Sequence, residues 1–268
     1  PPPTALRRSA AAARSARPGA RLGAEELMAI TALPPALDCA LWRVDLDTPP
    51  AGDAVRGLSP QENERARRFV FARDRSRYLA AHVALRQTLA GPARRNASQL
   101  RFAEGRFGKP RLEATTDLHF NLSHSQGVGL IALGEQGEIG VDVECVRPMD
   151  DALALAESYF DAAEREALAA TAPGPERDLA FFRCWTRKEA CLKAVGVGLG
   201  LDTRSFHVGI EPVAREVLLP LDDGALTVSV VSTAGGEGVV AAVARVRTDA
   251  SDRAEARSRE HAVEGACP

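Results

Sequence analysis

The chain predicts a mixed α/β (α+β) protein made of two related halves, and three observations carry that prediction. Strand-like alternation and helix-like periodicity succeed one another roughly twice along the sequence. A short alternating segment, Gly140-Val141-Asp142-Val143-Glu144, puts two carboxylates on one face of a strand, because side chains on a strand repeat every two residues. A helical segment, Trp185 to Lys193, stacks Trp185, Glu189 and Lys193 four residues apart on one face.

The whole chain sets bounds. Its 268 residues suffice for one large domain or two smaller ones. A net charge of −2 without a dominant charge block excludes a dedicated nucleic-acid binder. Cys39, Cys145, Cys184, Cys191 and Cys267 are odd in number and scattered, with no C-x-x-C. That pattern reads as reduced thiols in a cytoplasmic protein, not as a disulfide framework or a zinc site. No apolar run approaches the ~18 residues that a membrane helix needs, so no membrane partner is expected.

Taken in order, residues 1–35 read as a disordered Arg/Ala/Pro-rich tail. The first 24 carry five arginines and no acid, too little apolar content to offset ordering entropy. An acid-poor, Arg-rich start also resembles a transit peptide, against which stand the three opening prolines and the lack of an amphipathic period. Leu41–Leu46 alternates as a first strand. Ser59-Pro60-Gln61-Glu62 is a capping box with proline at the first helical position. Six arginines follow within thirteen residues, Arg65, Arg67, Arg68, Arg73, Arg75 and Arg77. They form either a solvated face or an anion clamp, since guanidinium forks match phosphate oxygens. Asp74 is expected to cap the next helix, with Tyr78, His82, Leu85 and Leu89 on its apolar stripe until Gly91-Pro92. His82 reads as a satisfied core histidine.

Lys109 precedes Pro110 and is therefore presented from an extended backbone. His119–Leu122 reads as a short strand that breaks into a loop at Ser123-His124-Ser125, whose polar groups suit contact with an anion. Val128–Leu133 and Glu138–Glu144 read as a hairpin. Asp150–Phe160 and Asp161–Ala170 are two short helices, the second capped by Asp161 with Glu164 three residues on. Glu176–Val195 is the longest helix, ended by Gly196 and Gly198. Phe206–Ile210, Val213–Leu219, Ala225–Ser232 and Val239–Val246 are expected strands. These elements give a first half at 36–146, a second at 147–247 and a disordered tail at 248–268.

Two carboxylates among valines call for a compensating cation, and Mg²⁺ is suited because it takes oxygen ligands together with substrate phosphates. If the helix lies over the strand, Glu189 becomes a third ligand or a base, and Lys193 sits where a phosphate could lie. Each half of this reading has a plainer alternative: a solvated edge strand for Asp142 and Glu144, and a surface ion pair for Glu189 and Lys193.

Leu58-Ser59-Pro60…Arg67-Arg68-Phe69, Gly108-Lys109-Pro110, Phe120–Ser125, Gly140–Glu144 and Phe181…Trp185–Glu189…Lys193 occur in this order over Leu41–Val246. Together they resemble the Sfp-type 4′-phosphopantetheinyl transferases. The resemblance implies a pseudo-two-fold fold of two similar halves with the active site between them, acting as a monomer. It implies transfer of the phosphopantetheine arm of coenzyme A to a serine of an apo acyl or peptidyl carrier protein, releasing adenosine 3′,5′-bisphosphate. By motif position Asp142, Glu144 and Glu189 would bind Mg²⁺, Glu189 would act as general base, and Lys193 would touch the pyrophosphate. Arg65, Arg67, Arg77, Lys109, Ser123 and His124 would contact the adenosine end and its 3′-phosphate. Glu62 stands where some members carry a lysine. Trp185 is expected to be structural, packing its helix across the interface of the halves. A carrier-protein surface is expected near Met149–Phe160. A metal-dependent phosphoesterase or nuclease, and an inactive carrier-binding module, are the alternatives; Glu189→Ala separates the last from an enzyme.

Overall fold

The computed structural model describes residues 28–247 except 106, 107, 114–116 and 223. The expected tails therefore fall outside the described residues up to 27 and from 248, as does Cys267. Two antiparallel four-stranded sheets form the frame. The first has the order β1 (Ile30–Ala36), β2 (Cys39–Asp45), β6 (Val128–Gly134), β5 (His119–Ser125). The second has the order β7 (Ile139–Cys145), β10 (Val239–Val246), β9 (Gly224–Ala234), β8 (Arg215–Leu221). Each is made alike: a strand, a run of helices, then a hairpin whose second strand inserts beside the first. That repeated path is the likeness of the halves. A short hairpin, β3 (Phe102–Glu104) and β4 (Pro110–Leu112), stands apart.

Alternation explains the layers. Cys39, Leu41, Leu130 and Ala132 of the first sheet form one buried cluster with Ile139, Val141, Val143, Ala241 and Val243 of the second. The sheets thus pack face to face through small and β-branched residues. On the outer face of the first lies α3 (Ala72–Ala90), which buries Ala81, Leu85 and Leu89 against Val44, Phe120 and Ile131. On the outer face of the second lies α6 (Pro175–Val195), whose Phe182 and Leu192 pack with Val230, Ala242 and Ala244. Shorter helices complete each half: α1 (Gly52–Arg56) and α2 (Pro60–Arg67), then α4 (Ala152–Tyr159) and α5 (Ala162–Ala170). The capping boxes at Ser59/Glu62 and Asp161/Glu164 are both formed. Gly196 ends α6 in the left-handed region, φ 69°, its N–H donating to Leu192.

Several expectations change. The folded body begins before residue 36, because Ile30–Ala36 pairs with β2. Phe71, not Asp74, stands at the N-cap position of α3, with no side-chain bond to cap it; Asp74 sits inside its first turn. Val128–Gly134 and Ile139–Cys145 are not a hairpin. The first pairs with β2 and β5 and the second with β10, so the chain passes from one sheet to the other at residues 135–138, earlier than the expected boundary after 146. Phe206–Ile210 is not a strand. Its backbone is held instead by three buried charged side chains: Glu164 accepts the N–H groups of Val208 and Gly209, Arg187 donates to Val208 O, and Lys188 donates to Phe206 O. Trp185 packs within the second half, edge-on to Tyr159 and stacked on Phe181, and not across the interface.

Candidate active site

The site forms where the free edge of β7 meets the inward face of β5. β7 pairs with β10 on one side only, so its other backbone groups need partners. Asn121 Oδ1 accepts from Val141 N at 2.8 Å, and Ser125 Oγ accepts from Cys145 N at 3.3 Å. Asn121, Ser123 and Ser125 are alternate residues of one continuous strand, paired with β6 throughout. The expected loop at 123–125 is therefore strand, and its hydroxyls line up along the edge of β7.

Val141 and Val143 point into the core between the sheets, which turns Gly140, Asp142 and Glu144 toward α6. Gly140 allows that helix to come close: a Cβ there would lie 2.0 Å from Ala190 O and 2.3 Å from Ala194 N. This backbone-on-backbone crossing brings Glu189 and Lys193 over the carboxylates. Asp142 Oδ1 accepts from Lys193 Nζ at 2.6 Å and from Ser123 Oγ at 2.8 Å. Lys193 Nζ also donates to Ser123 Oγ at 3.0 Å. Glu144 Oε2 accepts from Ser125 Oγ at 2.7 Å.

Negative charge exceeds positive here. Burial pushes Glu189 up to about 7, the Asp142 charge adds to it, and Lys193 pulls the other way. Glu144 is raised by burial and then by Asp142. Burial opposes the ammonium of Lys193, but Asp142 and Glu189 outweigh it and hold the group above the usual lysine range. Asp142 Oδ2 is buried with no hydrogen-bond partner. An orphaned carboxylate oxygen beside two carboxyls that resist ionisation is a set of hard oxygen donors short of a cation. Asp142, Glu144 and Glu189 therefore fit a divalent metal. Among the described residues, the three-ligand group whose donor atoms all lie within 4.8 Å of one another is a different one, Asp161, Glu164 and His207. Its central carboxylate is already saturated by Asp161 N, Val208 N, Gly209 N and Lys188, and it serves the fold.

The remaining expected residues are spread more widely. Arg77 lies at this end of β7: it pairs with Asp47 at 2.6 Å, and its charge reaches the Cys145 thiol. Arg65 stands near Tyr78, and Arg67 is an exposed side chain paired with Glu64. His124 is exposed, and alternation puts it on the face of β5 that carries Phe120 and Leu122 toward α3, away from the carboxylates. Lys109 is committed elsewhere. Its Nζ donates to Glu138 at 2.5 Å, Ile139 O at 2.9 Å and Ala194 O at 3.0 Å, tying the end of α6 to the start of β7. Burial draws it below the usual lysine range despite Glu138. Glu62, the departure from the resembled pattern, is buried and bonded to Arg86 and His82. It joins α2 to α3. Sequence reading missed Asn121 and Arg147, and took Ser125 as a loop hydroxyl facing an anion. Arg147 has its charge near Glu144 and stacks on Phe182 at 4.8 Å.

Residues 138–244 match the profile of the 4′-phosphopantetheinyl transferase superfamily, and residues 51–135 match that of the 4′-phosphopantetheinyl transferase N-terminal region. The 4′-phosphopantetheinyl transferase HetI of Nostoc sp. is 40% identical over 164 residues, 59% of this chain and 69% of the relative. The 4′-phosphopantetheinyl transferase Sfp of Bacillus subtilis is 33% identical over 151 residues, 56% of this chain and 66% of the relative. A further 4′-phosphopantetheinyl transferase from Bacillus subtilis is 30% identical over 188 residues, covering 69% and 82%.

Proposed function

The chain belongs to the 4′-phosphopantetheinyl transferase superfamily, and from that premise we propose that it moves the phosphopantetheine arm of coenzyme A onto a serine of an apo carrier protein. The observation that carries the reading is the cluster of a buried Asp142 with half-buried Glu144, Glu189 and Lys193, and its orphaned oxygen. Asp142, Glu144 and Glu189 would hold Mg²⁺, which when bound would gather charge from the pyrophosphate and steady the leaving group.

This chain's residues supply the rest. The carrier serine oxygen forms a bond to the β-phosphorus, and the bond from that phosphorus to the bridging oxygen breaks. Adenosine 3′,5′-bisphosphate leaves with that electron pair. Glu189, carried over the carboxylates by α6, accepts the serine proton. Lys193 is held between Asp142 and Ser123 and offers its ammonium to the pyrophosphate oxygens. Ser123 and Ser125 orient Asp142 and Glu144. Arg65, Arg67, Arg77 and His124, at the α3 side, hold the 3′-phosphate end. Lys109 contributes from the opposite end of β7, where it fixes the junction with α6.

The test is mass spectrometry of apo carrier proteins incubated with the protein, coenzyme A and Mg²⁺. A gain of one phosphopantetheine arm on serine, abolished by chelator and by Glu189→Ala, is the expected result. Cleavage of coenzyme A without transfer would overturn the reading.

A further inference from the structure

Seven consecutive residues, from the last of α2 through the connecting loop to the second of α3, are exposed: Arg67, Arg68, Phe69, Val70, Phe71, Ala72 and Arg73. Among them Val70 is 89% exposed, Phe71 69% and Phe69 38%. Phe69 is supported from behind by Tyr78, ring centroids 5.2 Å apart, so the loop is propped outward. Val70 and Phe71 at the loop tip keep most of their surface in solvent. Their arginine frame is only partly neutralised: Arg67 and Arg68 share Glu64, and Arg73 has Asp74 beside it. Apolar anchors inside a charged rim are the composition of a protein-docking surface.

Position identifies the occupant. Arg77 lies about 9 Å along α3 from Phe71 at helical rise, and it pairs with Asp47, which lies against Gly127 in the β5–β6 turn, two residues beyond the Ser125 that bonds Glu144 and Cys145. The loop therefore stands at the end of β7 where the carboxylates open. On the other side α4 begins just beyond β7 and exposes Leu153. Whatever brings a serine hydroxyl to Glu189 must cover the space between them. We infer that the Arg68–Arg73 segment is the first half's docking element for the carrier protein, and that it receives an apolar contact ringed by carboxylates. The inference rests on the proposed transferase activity and adds to it the chemistry by which the protein substrate is chosen. Positive charge attracts an acidic partner at long range, and the Val70–Phe71 tip gives the close contact.

Steady-state kinetics of the full chain with Val70→Ser/Phe71→Ser and with Arg68→Glu tests it. These side chains are exposed, and unchanged thermal midpoints would show that the fold is kept. Expected is at least a fivefold rise in KM for the carrier protein with KM for coenzyme A unchanged, and a weaker salt dependence for Arg68→Glu. Equal rises for both substrates would place the loop in the coenzyme A site and overturn the inference. So would unchanged kinetics. Loss of binding to anionic vesicles without a carrier effect would assign the loop to a membrane surface instead, and likewise overturn it. If the unsubstituted protein modifies no carrier at all, the transferase reading falls first; if it does and the variants match it, only the loop's role falls.

Discussion

Asp142 has its two oxygens in different states. Oδ1 is tied to Lys193 and Ser123, while Oδ2 is buried and unpartnered. The repulsion among Asp142, Glu144 and Glu189 makes metal binding and proton release one event. With Glu189 raised to about 7, its carboxyl is protonated below that pH and must lose the proton to ligate. Affinity for Mg²⁺ or Mn²⁺ should therefore climb as pH rises toward 7, by up to about tenfold per unit for one released proton, and level off above it. Calorimetry at several pH values checks this, with Glu189→Gln flattening the profile. A pH-independent affinity would remove Glu189 from the ligand set. At this scale the sequence was legible where chemistry is local. Asp142, Glu144, Glu189 and Lys193 come together as their strand and helix periods implied. Ser125 was read as a loop hydroxyl facing an anion and not as a partner of Glu144, although Asn121, Ser123 and Ser125 already alternated.

The crossing of α6 over β7 depends on Gly140. Adding a methyl there sets a Cβ against the backbone of Ala190 and Ala194, atoms that cannot rotate away. Gly140→Ala should cost at least on the order of 1–3 kcal/mol and move Glu189 and Lys193 off the carboxylates. A lower urea midpoint together with lost turnover is the expected outcome; full activity would show that the helix can shift freely. The α2–α3 pair depends on Glu62 in another way. Burial would raise this carboxyl, but His82 and Arg86 outweigh it and bring it down to about 2 from its ordinary 4.5. A folded value below the unfolded one stabilises fully above about 4.5, and that stability is lost as pH falls toward 2. The loss is on the order of 3 kcal/mol. Acid titration of the thermal midpoint should be flatter in Glu62→Gln, which is also less stable at neutral pH because Arg86 is left buried without its partner. Helices were readable from caps and periodicity. Strand partners were not, since residues 128–144 contain two adjacent strands and nothing local says that they join different sheets. Phe206–Ile210 has the apolar look of a strand, but Glu164, Arg187 and Lys188 from distant helices take its backbone bonds.

At the scale of the molecule, the site belongs to neither half alone. Ser123 and Ser125 come from the first sheet, Asp142 and Glu144 from the edge of the second, and Glu189 and Lys193 from the helix behind it. The two-fold likeness was visible as a recurring order of elements, but its dividing point was not, because β7 follows β6 closely while completing the other sheet. The profile matches break at the same place, 135 against 138. A core shared between the sheets should make the halves unfold together. The two tryptophans allow a direct check, since Trp42 packs on the α3 side of the first sheet and Trp185 lies in the core of the second half. In Trp185→Phe the remaining fluorescence reports the first half, and in Trp42→Phe it reports the second. Within each variant, fluorescence and far-ultraviolet circular dichroism should give the same urea midpoint. Saturating Mg²⁺ should then raise both midpoints together, by about 2.7 kcal/mol at a hundredfold excess over Kd, because a ligand that binds only the assembled junction stabilises everything needed to form it. A rise confined to the Trp185 transition would mean that the second half binds the metal alone and that the β5 hydroxyls contribute nothing to the site.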